Sequence, residues 1–198
     1  MPRSPLIITR PSLQHLAETL DKHANAKFAA RREAKVAKEW GDLSENAEYK
    51  ASKEKFRLAG KLQQRVGREL KAIEEQGYTV VDPADWIQGE GTPERVDVGV
   101  VARVTQAGFT EDYLLAGAKD THLSTTAALV AVPYTSPLGQ ALMDQTAPAK
   151  LSAMLAGEVR VIEVVSLRRP TREEIVELYP ELGYELGARR AFELPLIG

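Results

Sequence analysis

Apolar positions recur at a helical spacing through the first third of the chain and at a strand spacing after it. Leu13, Leu16, Leu20, His23, Lys27, Ala30, Ala34 and Ala37 follow a 3-4-3-4 rhythm. That rhythm predicts a helix over 9–40 with a coiled-coil-like seam, interrupted at His23 and Lys27. Thr9 can cap it, and Pro11 sits in the first turn, where a missing N–H does little harm. Trp40-Gly41 ends it, Gly being suited to the left-handed position past a helix. A second helix is expected over about 43–76, with Ala47, Ala51, Leu58, Leu62, Val66, Leu70 and Ile73 as its stripe and Gly77 closing it. Gly60 and Gly67 lower its propensity by up to about 1 kcal/mol each. Two long helices joined by a few residues must be antiparallel neighbours. At 1.5 Å per residue each arm is on the order of 45 Å, too long for one small domain to cover, so much of the hairpin should project into solvent. Leu lines the base and Ala the turn end. The far end should therefore be slim and contribute little burial.

After Gly77 the pattern changes. "YTVVDP", "VDVGVVARV", "DYLLAG", "ALVAVP" and "EVRVIEVVSL" are short, Val-rich and bounded by turn residues, which predicts strands. "SPLGQALM" at 136–143 predicts a short helix capped by Ser136 with Pro137 in its first turn. Residues 84–95 read as a loop or linker. The fold class expected is α+β, a helical hairpin followed by a small antiparallel sheet with a short helix packed on it. The tail is set apart: Thr171 and Glu174 have capping-box spacing, and Pro180 stops the helix. The expected domains are 1–77, 78–168 and a C-terminal extension at 169–198.

Composition narrows the class. The 198 residues are 43% hydrophobic and 27% charged, as in a soluble globular protein. No apolar run reaches the ~18 residues of a membrane span, and "MPRSPLIITRPS" is too short in apolar residues for a secretory signal. The chain has no Cys, which excludes disulfides, thiolate zinc sites and Cys nucleophiles and suits a reducing cytoplasm. The net charge of −2 hides an asymmetry: residues 10–75 hold 15 Lys/Arg against 11 Asp/Glu, and residues 76–198 hold 10 against 17. Two modules with different surroundings are implied.

Candidates for chemistry are few. His15, His23 and His122 are scattered, no phosphate-binding Gly loop is present, and no Gly-x-Ser-x-Gly elbow occurs. That leaves the turn "EWGDLSENAEYK" at 39–50. Asp42 can cap the second helix with Glu45 at the third helical position, a capping arrangement that the helix dipole favours. The same stretch also gathers Asp42, Glu45 and Glu48 within two turns, beside Asn46 and Tyr49. Two carboxylates hold Mg²⁺ weakly in water, because the ion wants an octahedral shell completed by other ligands. A pair on a thin stalk is better suited to completing a metal site that another molecule supplies. Lys50, Lys53, Arg57, Lys61, Arg65, Arg68 and Lys71 recur every three or four residues along the second helix. This basic stripe can be a solvated face paired with Glu18, Asp21 and Glu33 of the first helix, or a track for a phosphate backbone or an acidic channel.

"GDLSENAEY", unbroken from Gly41 to Tyr49 with Ser44 in the variable place, resembles the tip motif of the bacterial Gre transcript cleavage factors. Weaker similarity runs through "LIITRPSLQHLAETL" and "LVAVPYTSPLGQALM", so the resemblance spans roughly residues 5–168. It implies an N-terminal coiled-coil hairpin and an FKBP-like C-terminal domain. It also implies a monomer that binds RNA polymerase through the secondary channel and stimulates hydrolysis of backtracked RNA at the nascent 3′ end. Carried over by position, Asp42 and Glu45 assist catalysis by holding a Mg²⁺ shared with the polymerase, with no cofactor of the chain's own and no independent enzyme activity. Asn46, Glu48 and Tyr49 become tip-shaping or RNA-contacting positions, and Lys50, Lys53 and Arg57 binding positions. A channel regulator without cleavage is the alternative within the family. A prolyl isomerase or chaperone is suggested only by the implied fold, and fold does not carry function. Departures from the family are a longer second helix, the linker around 82–95, an apparent insertion at Gln145–Leu155, and the tail.

Overall fold

The computed structural model describes residues 6–39, 47–89, 91–123 and 129–183. The chain divides into two units, one of residues 13–78 and the other of residues 1–12 with 79–198.

The first unit is a helix pair, α1 (Arg10–Glu39) and α2 (Ala47–Glu75). Their contacts show the antiparallel register. As the α1 position falls from Glu33 through Lys27 to Leu20, its partner on α2 climbs from Ser52 through Gln63 to Gly67. All eight seam positions expected on α1 are buried or half-buried, Ala30 and Ala37 most deeply. On α2 the expected stripe holds at the base, where Val66 and Ile73 are buried, and fails farther out. Ala47, Ala51 and Leu58 are exposed, and the seam is instead built from Ser52, Ala59, Val66 and Ile73 with Tyr49, Phe56, Gln63 and Leu70. Both sets step by seven residues. A heptad phase set by the large side chains at the base propagates outward and overrides local hydrophobicity. It puts a serine in the seam and leaves a leucine outside. Lys27 and His23 stay in the seam, and Lys27 is accommodated there. Its Nζ donates to Gln63 Oε1 at 3.2 Å and lies 5.7 Å from the centre of the Phe56 ring.

The second unit carries β1 (Ile7–Thr9), β2 (Thr79–Val81), β3 (Val101–Gln106), β4 (Phe109–Ala116), β5 (Val130–Pro133), α3 (Pro137–Leu142), β6 (Ala149–Leu155), β7 (Glu158–Arg168) and α4 (Arg172–Leu178). β1 and β2 form a parallel pair. The other strands form one sheet in the order β5-β4-β3-β7-β6. It is antiparallel as expected except for the parallel β4–β5 pair at one edge. α3 is capped as expected, Ser136 Oγ accepting from the Gly139 N–H. β6 falls in the segment that looked like an insertion; it pairs with β7 along its whole length. A bulge on β7 opposite Arg103 restores the alternation, so Ile162, Val164 and Leu167 all point into the core.

The tail differs most from expectation. It was set apart at 169–198, yet α4 and the turn after it supply Ile175, Leu178, Tyr179 and Leu182 to the same core as Ala84, Trp86, Val101, Leu114 and Leu129. The linker around 82–95 lends Ala84 and Trp86 to that core, and the Trp86 and Tyr179 rings meet edge to face at 6.1 Å. The linker and the tail therefore pack on each other. The capping box at Thr171 and Glu174 forms as the spacing predicted.

Two polar clusters join these pieces. Asp120, 1% exposed, accepts hydrogen bonds from Thr9 Oγ1 (2.5 Å), Ser12 Oγ, the Gly117 N–H (2.7 Å) and the Tyr179 hydroxyl (2.9 Å). Thr9, expected as the helix cap, does accept from the Ser12 N–H at 3.3 Å while its own hydroxyl is spent on Asp120. Burial, together with the Asp120 carboxylate, holds the Tyr179 phenol well above its ordinary pKa. On the sheet, Asp112 receives Arg103 and Arg168 at 2.8 and 2.9 Å, and Arg168 also grips Glu174 at 2.7 Å. Burial pushes the Asp112 carboxyl up, but hydrogen bonds from the two arginines outweigh it and hold it below its ordinary value. The Arg168 bond likewise lowers Glu174, against burial. Among the described residues no helix is long and apolar enough to cross a membrane.

Candidate functional site

The site indicated by the sequence is the turn end of the hairpin. Asp42, Glu45 and Asn46 lie outside the described residues, as do all of positions 40–46. The structure does place the elements that lead into and out of them. α1 runs to Glu39 and α2 starts at Ala47, which leaves seven residues to connect two antiparallel helices. Glu48 stands exposed in the first turn of α2, where the positive end of the helix dipole favours an acid. Tyr49 is half-buried and opens the seven-residue series that continues at Phe56.

Behind the turn the hairpin is narrow, because Ala30, Ala37, Ser52 and Ala59 fill its seam. These side chains are too small to fill the surface between the helices, and a groove of about 640 Å³ remains, lined by Arg32, Val36, Ala37, Glu48, Ala51 and Lys55 among others. A polar clasp ties the helices here: Glu33 accepts from Lys55 Nζ at 3.1 Å and from Ser52 Oγ at 3.4 Å. Ser52 and Lys55 escaped the sequence reading. Counting back by sevens from Ile73 and Val66 would have found Ser52.

All seven residues of the basic stripe are exposed: Lys50, Lys53, Arg57, Lys61, Arg65, Arg68 and Lys71. The stripe runs beside the seam over about 30 Å of helix. Its pairing with acids of α1 does not form. Glu33 takes Lys55, which is off the stripe, while Arg57 and Lys71 pair within α2, with Glu54 and Glu75. Among the described residues Lys50, Lys53, Lys61 and Arg65 make no ion pair. The stripe is a row of solvated cations, suited to a polyanion and weakened by salt. Among the described residues no group of three or more His, Asp or Glu is arranged to hold a metal ion. Two carboxylates such as Asp42 and Glu45 would leave most of an octahedral shell to other ligands.

The family description "Transcription elongation factor, N-terminal", for GreA and GreB, matches residues 6–76, the whole helix pair with the strand before it. Residues 6–76 are thus similar to the N-terminal part of the Gre transcription elongation factors. Similarity to Gre proteins continues beyond the hairpin. The chain is 28% identical over 170 residues to the transcription elongation factor GreA of Syntrophobacter fumaroxidans, covering 85% of this chain and 99% of that protein. It is 29% identical over 164 residues to GreA of Syntrophus aciditrophicus, covering 81% and 92%. Among solved structures, the GreA factor homolog Gfh1 of Thermus thermophilus aligns over 83% of this chain and 99% of that one, at 17% identity and a TM-score of 0.32. The likeness to Gre factors rests on the hairpin match and these two curated relatives.

Proposed function

We propose that the chain is a Gre-type factor that inserts its hairpin into the secondary channel of RNA polymerase and stimulates the polymerase's own Mg²⁺-dependent cleavage of backtracked RNA. The observation that carries this reading is the unbroken Gly41–Tyr49 motif at the end of a hairpin whose seam has narrowed to Ala and Ser. A narrow distal end suits entry into a confined channel. Two carboxylates are too few to hold Mg²⁺ by themselves, which suits a role on another protein's metal.

In a two-metal hydrolysis one ion activates water and the other stabilises the leaving oxygen. Asp42 and Glu45 would supply carboxylate ligands to the more weakly held Mg²⁺ and orient its water. Asn46, Glu48 and Tyr49 would shape the tip or touch the RNA 3′ end. Lys50 and Lys53, which make no ion pair among the described residues, would with Arg57 meet the phosphates of the displaced RNA or the acidic wall of the channel.

The test is a cleavage assay on a backtracked elongation complex with Mg²⁺ titrated. The chain should shift the Mg²⁺ dependence of cleavage to lower concentration. Asp42→Ala with Glu45→Ala should abolish the shift while the protein still competes for polymerase binding. Undiminished cleavage by the double variant would sink the mechanism. Binding without cleavage by the unmodified chain would replace it with the purely regulatory reading.

A further inference from the structure

The seam behind the turn holds a residue that a seam of small apolar side chains does not need. Ser52 is 5% exposed, in the series that Ala59, Val66 and Ile73 continue. A methyl would fill the same space with no hydroxyl to satisfy. The Ser52 hydroxyl donates to Glu33 Oε2 at 3.4 Å, and Lys55 Nζ donates to the same oxygen at 3.1 Å. Three side chains from two helices thus meet at one carboxylate oxygen. A second polar bridge, Lys27 to Gln63, lies toward the base, and the buried seam between the two bridges is Ala30 and Ala59.

Stability does not explain this cluster. The side chains of Lys55 and Glu33 are 65 and 50% exposed, and an ion pair so open to water contributes little. Register explains it better. Large seam side chains key into holes on the facing helix and resist sliding, whereas Ala offers little to key with. Val66 lies about 20 Å back along α2 from Ser52, and beyond that anchor a helix pair lined by Ala is free to slide and splay. A polar residue in an apolar seam discriminates between registers, because only one of them supplies its partner. One turn from Glu33 on the same face of α1 stand Ala29 and Ala37. Moving α2 by one turn in either direction therefore carries the Ser52 hydroxyl from a carboxylate to a methyl, and a buried hydroxyl without a partner is unfavourable. The same move breaks the Lys55 pair. Glu33 is six residues from the end of α1 and Ser52 five from the start of α2, so the cluster lies within about 10 Å of both helix ends that carry the turn.

We propose that Glu33, Ser52 and Lys55 are positioning residues, which lock α1 against α2 just behind the turn and so fix the two helix ends that carry Asp42 and Glu45. The proposal rests on the proposed role in RNA cleavage. Ligands to a shared Mg²⁺ must be held to within about 0.5 Å of their productive geometry. An unlocked hairpin still binds the polymerase, but its carboxylates complete the metal shell less often, so more Mg²⁺ is needed.

The test compares the full chain with Glu33→Gln/Ser52→Ala and with the swap Glu33→Lys/Lys55→Glu. The swap restores an ion pair of opposite sense, and a Ser hydroxyl can accept as well as donate. For the distance measurement alone, nitroxide labels are attached through Lys38→Cys and Lys50→Cys, exposed positions near the two helix ends in a chain with no Cys of its own. The distance distribution should be narrow in the parent and the swap and at least twice as wide in Glu33→Gln/Ser52→Ala. In that variant the Mg²⁺ concentration for half-maximal cleavage in a backtracked complex should rise at least threefold, and the swap should bring it back toward the parent value. Competition for polymerase should be unchanged. The melting temperature should be unchanged or slightly raised, since Ala replaces a seam Ser, whereas a merely structural role would lower it. A distribution as narrow in the variant as in the parent overturns the lock, whatever cleavage does. A broadened distribution with unchanged Mg²⁺ dependence overturns the positioning role. A parent chain that stimulates no cleavage refutes the proposed function and the positioning role with it, while the label widths still decide the lock.

Discussion

The buried carboxylate of Asp120 gives the sharpest prediction about how this chain is held together. Four donors converge on it: Thr9 Oγ1, Ser12 Oγ, the Gly117 N–H and the Tyr179 hydroxyl. Thr9, Ser12 and Tyr179 are as deeply buried as the acid, at 0, 1 and 0% exposure. Asp120→Ala leaves all four without their acceptor. The Thr9 and Ser12 hydroxyls can rotate, and Thr9 still accepts from the Ser12 N–H. The Gly117 N–H and the Tyr179 O–H have no such freedom, and a buried unsatisfied donor costs about 1–3 kcal/mol. The expected loss is about 3–5 kcal/mol, within the range seen when a buried polar network is broken and a large part of a typical domain's 5–15 kcal/mol. Asp120→Asn keeps the shape and one acceptor oxygen but turns an NH₂ toward donors, so it should lose roughly half as much. Urea unfolding followed by Trp86 fluorescence measures this directly, in a Trp40→Phe background so that one indole reports. Trp86 touches Tyr179, so its signal follows this core. With a slope of about 2 kcal/mol per M, Asp120→Ala should lower the midpoint by about 2 M. A loss under about 1 kcal/mol for Asp120→Ala, or a larger loss for Asn than for Ala, would refute the reasoning.

Other consequences follow from the same geometry. A Cβ added at Gly67 would sit 3.8 Å from Leu20 Cδ1, an ordinary contact, whereas one at Gly139 would overlap the Pro133 carbonyl oxygen. Gly67→Ala should therefore raise stability by about 0.5–1 kcal/mol through the helix and the unfolded chain, while Gly139→Ala should lower it by more than about 2 kcal/mol. Thermal melts of the two variants give opposite signs if the packing is right. The pH dependence comes from Asp112 and Glu174, both held below their ordinary values by Arg168, and Asp112 also by Arg103. A depressed carboxyl contributes stability that is whole above its unfolded pKa, about 4, and is lost as pH falls through the folded value. Stability should thus decline below about pH 4.5, and Arg168→Met should flatten that decline relative to the parent in acid titrations followed by Trp86 fluorescence.

Much of the hairpin is legible because a coiled-coil seam is a local code. Eight α1 positions at 3-4-3-4 spacing predict the buried face even with His23 and Lys27 among them. The α2 stripe shows where that code needs its partner. Ala51 and Leu58 are apolar, yet Ser52 and Ala59 are buried, because the phase is set by Val66 and Ile73 facing α1. The caps at Ser136 and Thr171 are equally local, since they need only a side chain and an N–H three residues on. The tip motif is legible in the same way, as a contiguous string of residue types. The stripe beside it was legible as a row of charges, but whether those charges were paired depended on where the acids of α1 fell.

The sequence by itself determined the helical hairpin, the strand segments and the capping residues, and it carries the acidic motif that resembles the Gre tip. Each rests on interactions between residues at most about four apart, or on a repeat visible along one line. Only the tertiary structure decided that the linker and the tail share one core and that Asp120 draws Thr9 and Tyr179 together across the chain. Those outcomes join positions more than fifty residues apart. Trp86, Ile175 and Tyr179 look like ordinary surface-helix and loop residues until the sheet gives them a common face to cover. The reason is that burial is a property of neighbours in space, and the neighbours that bury these residues are distant along the chain.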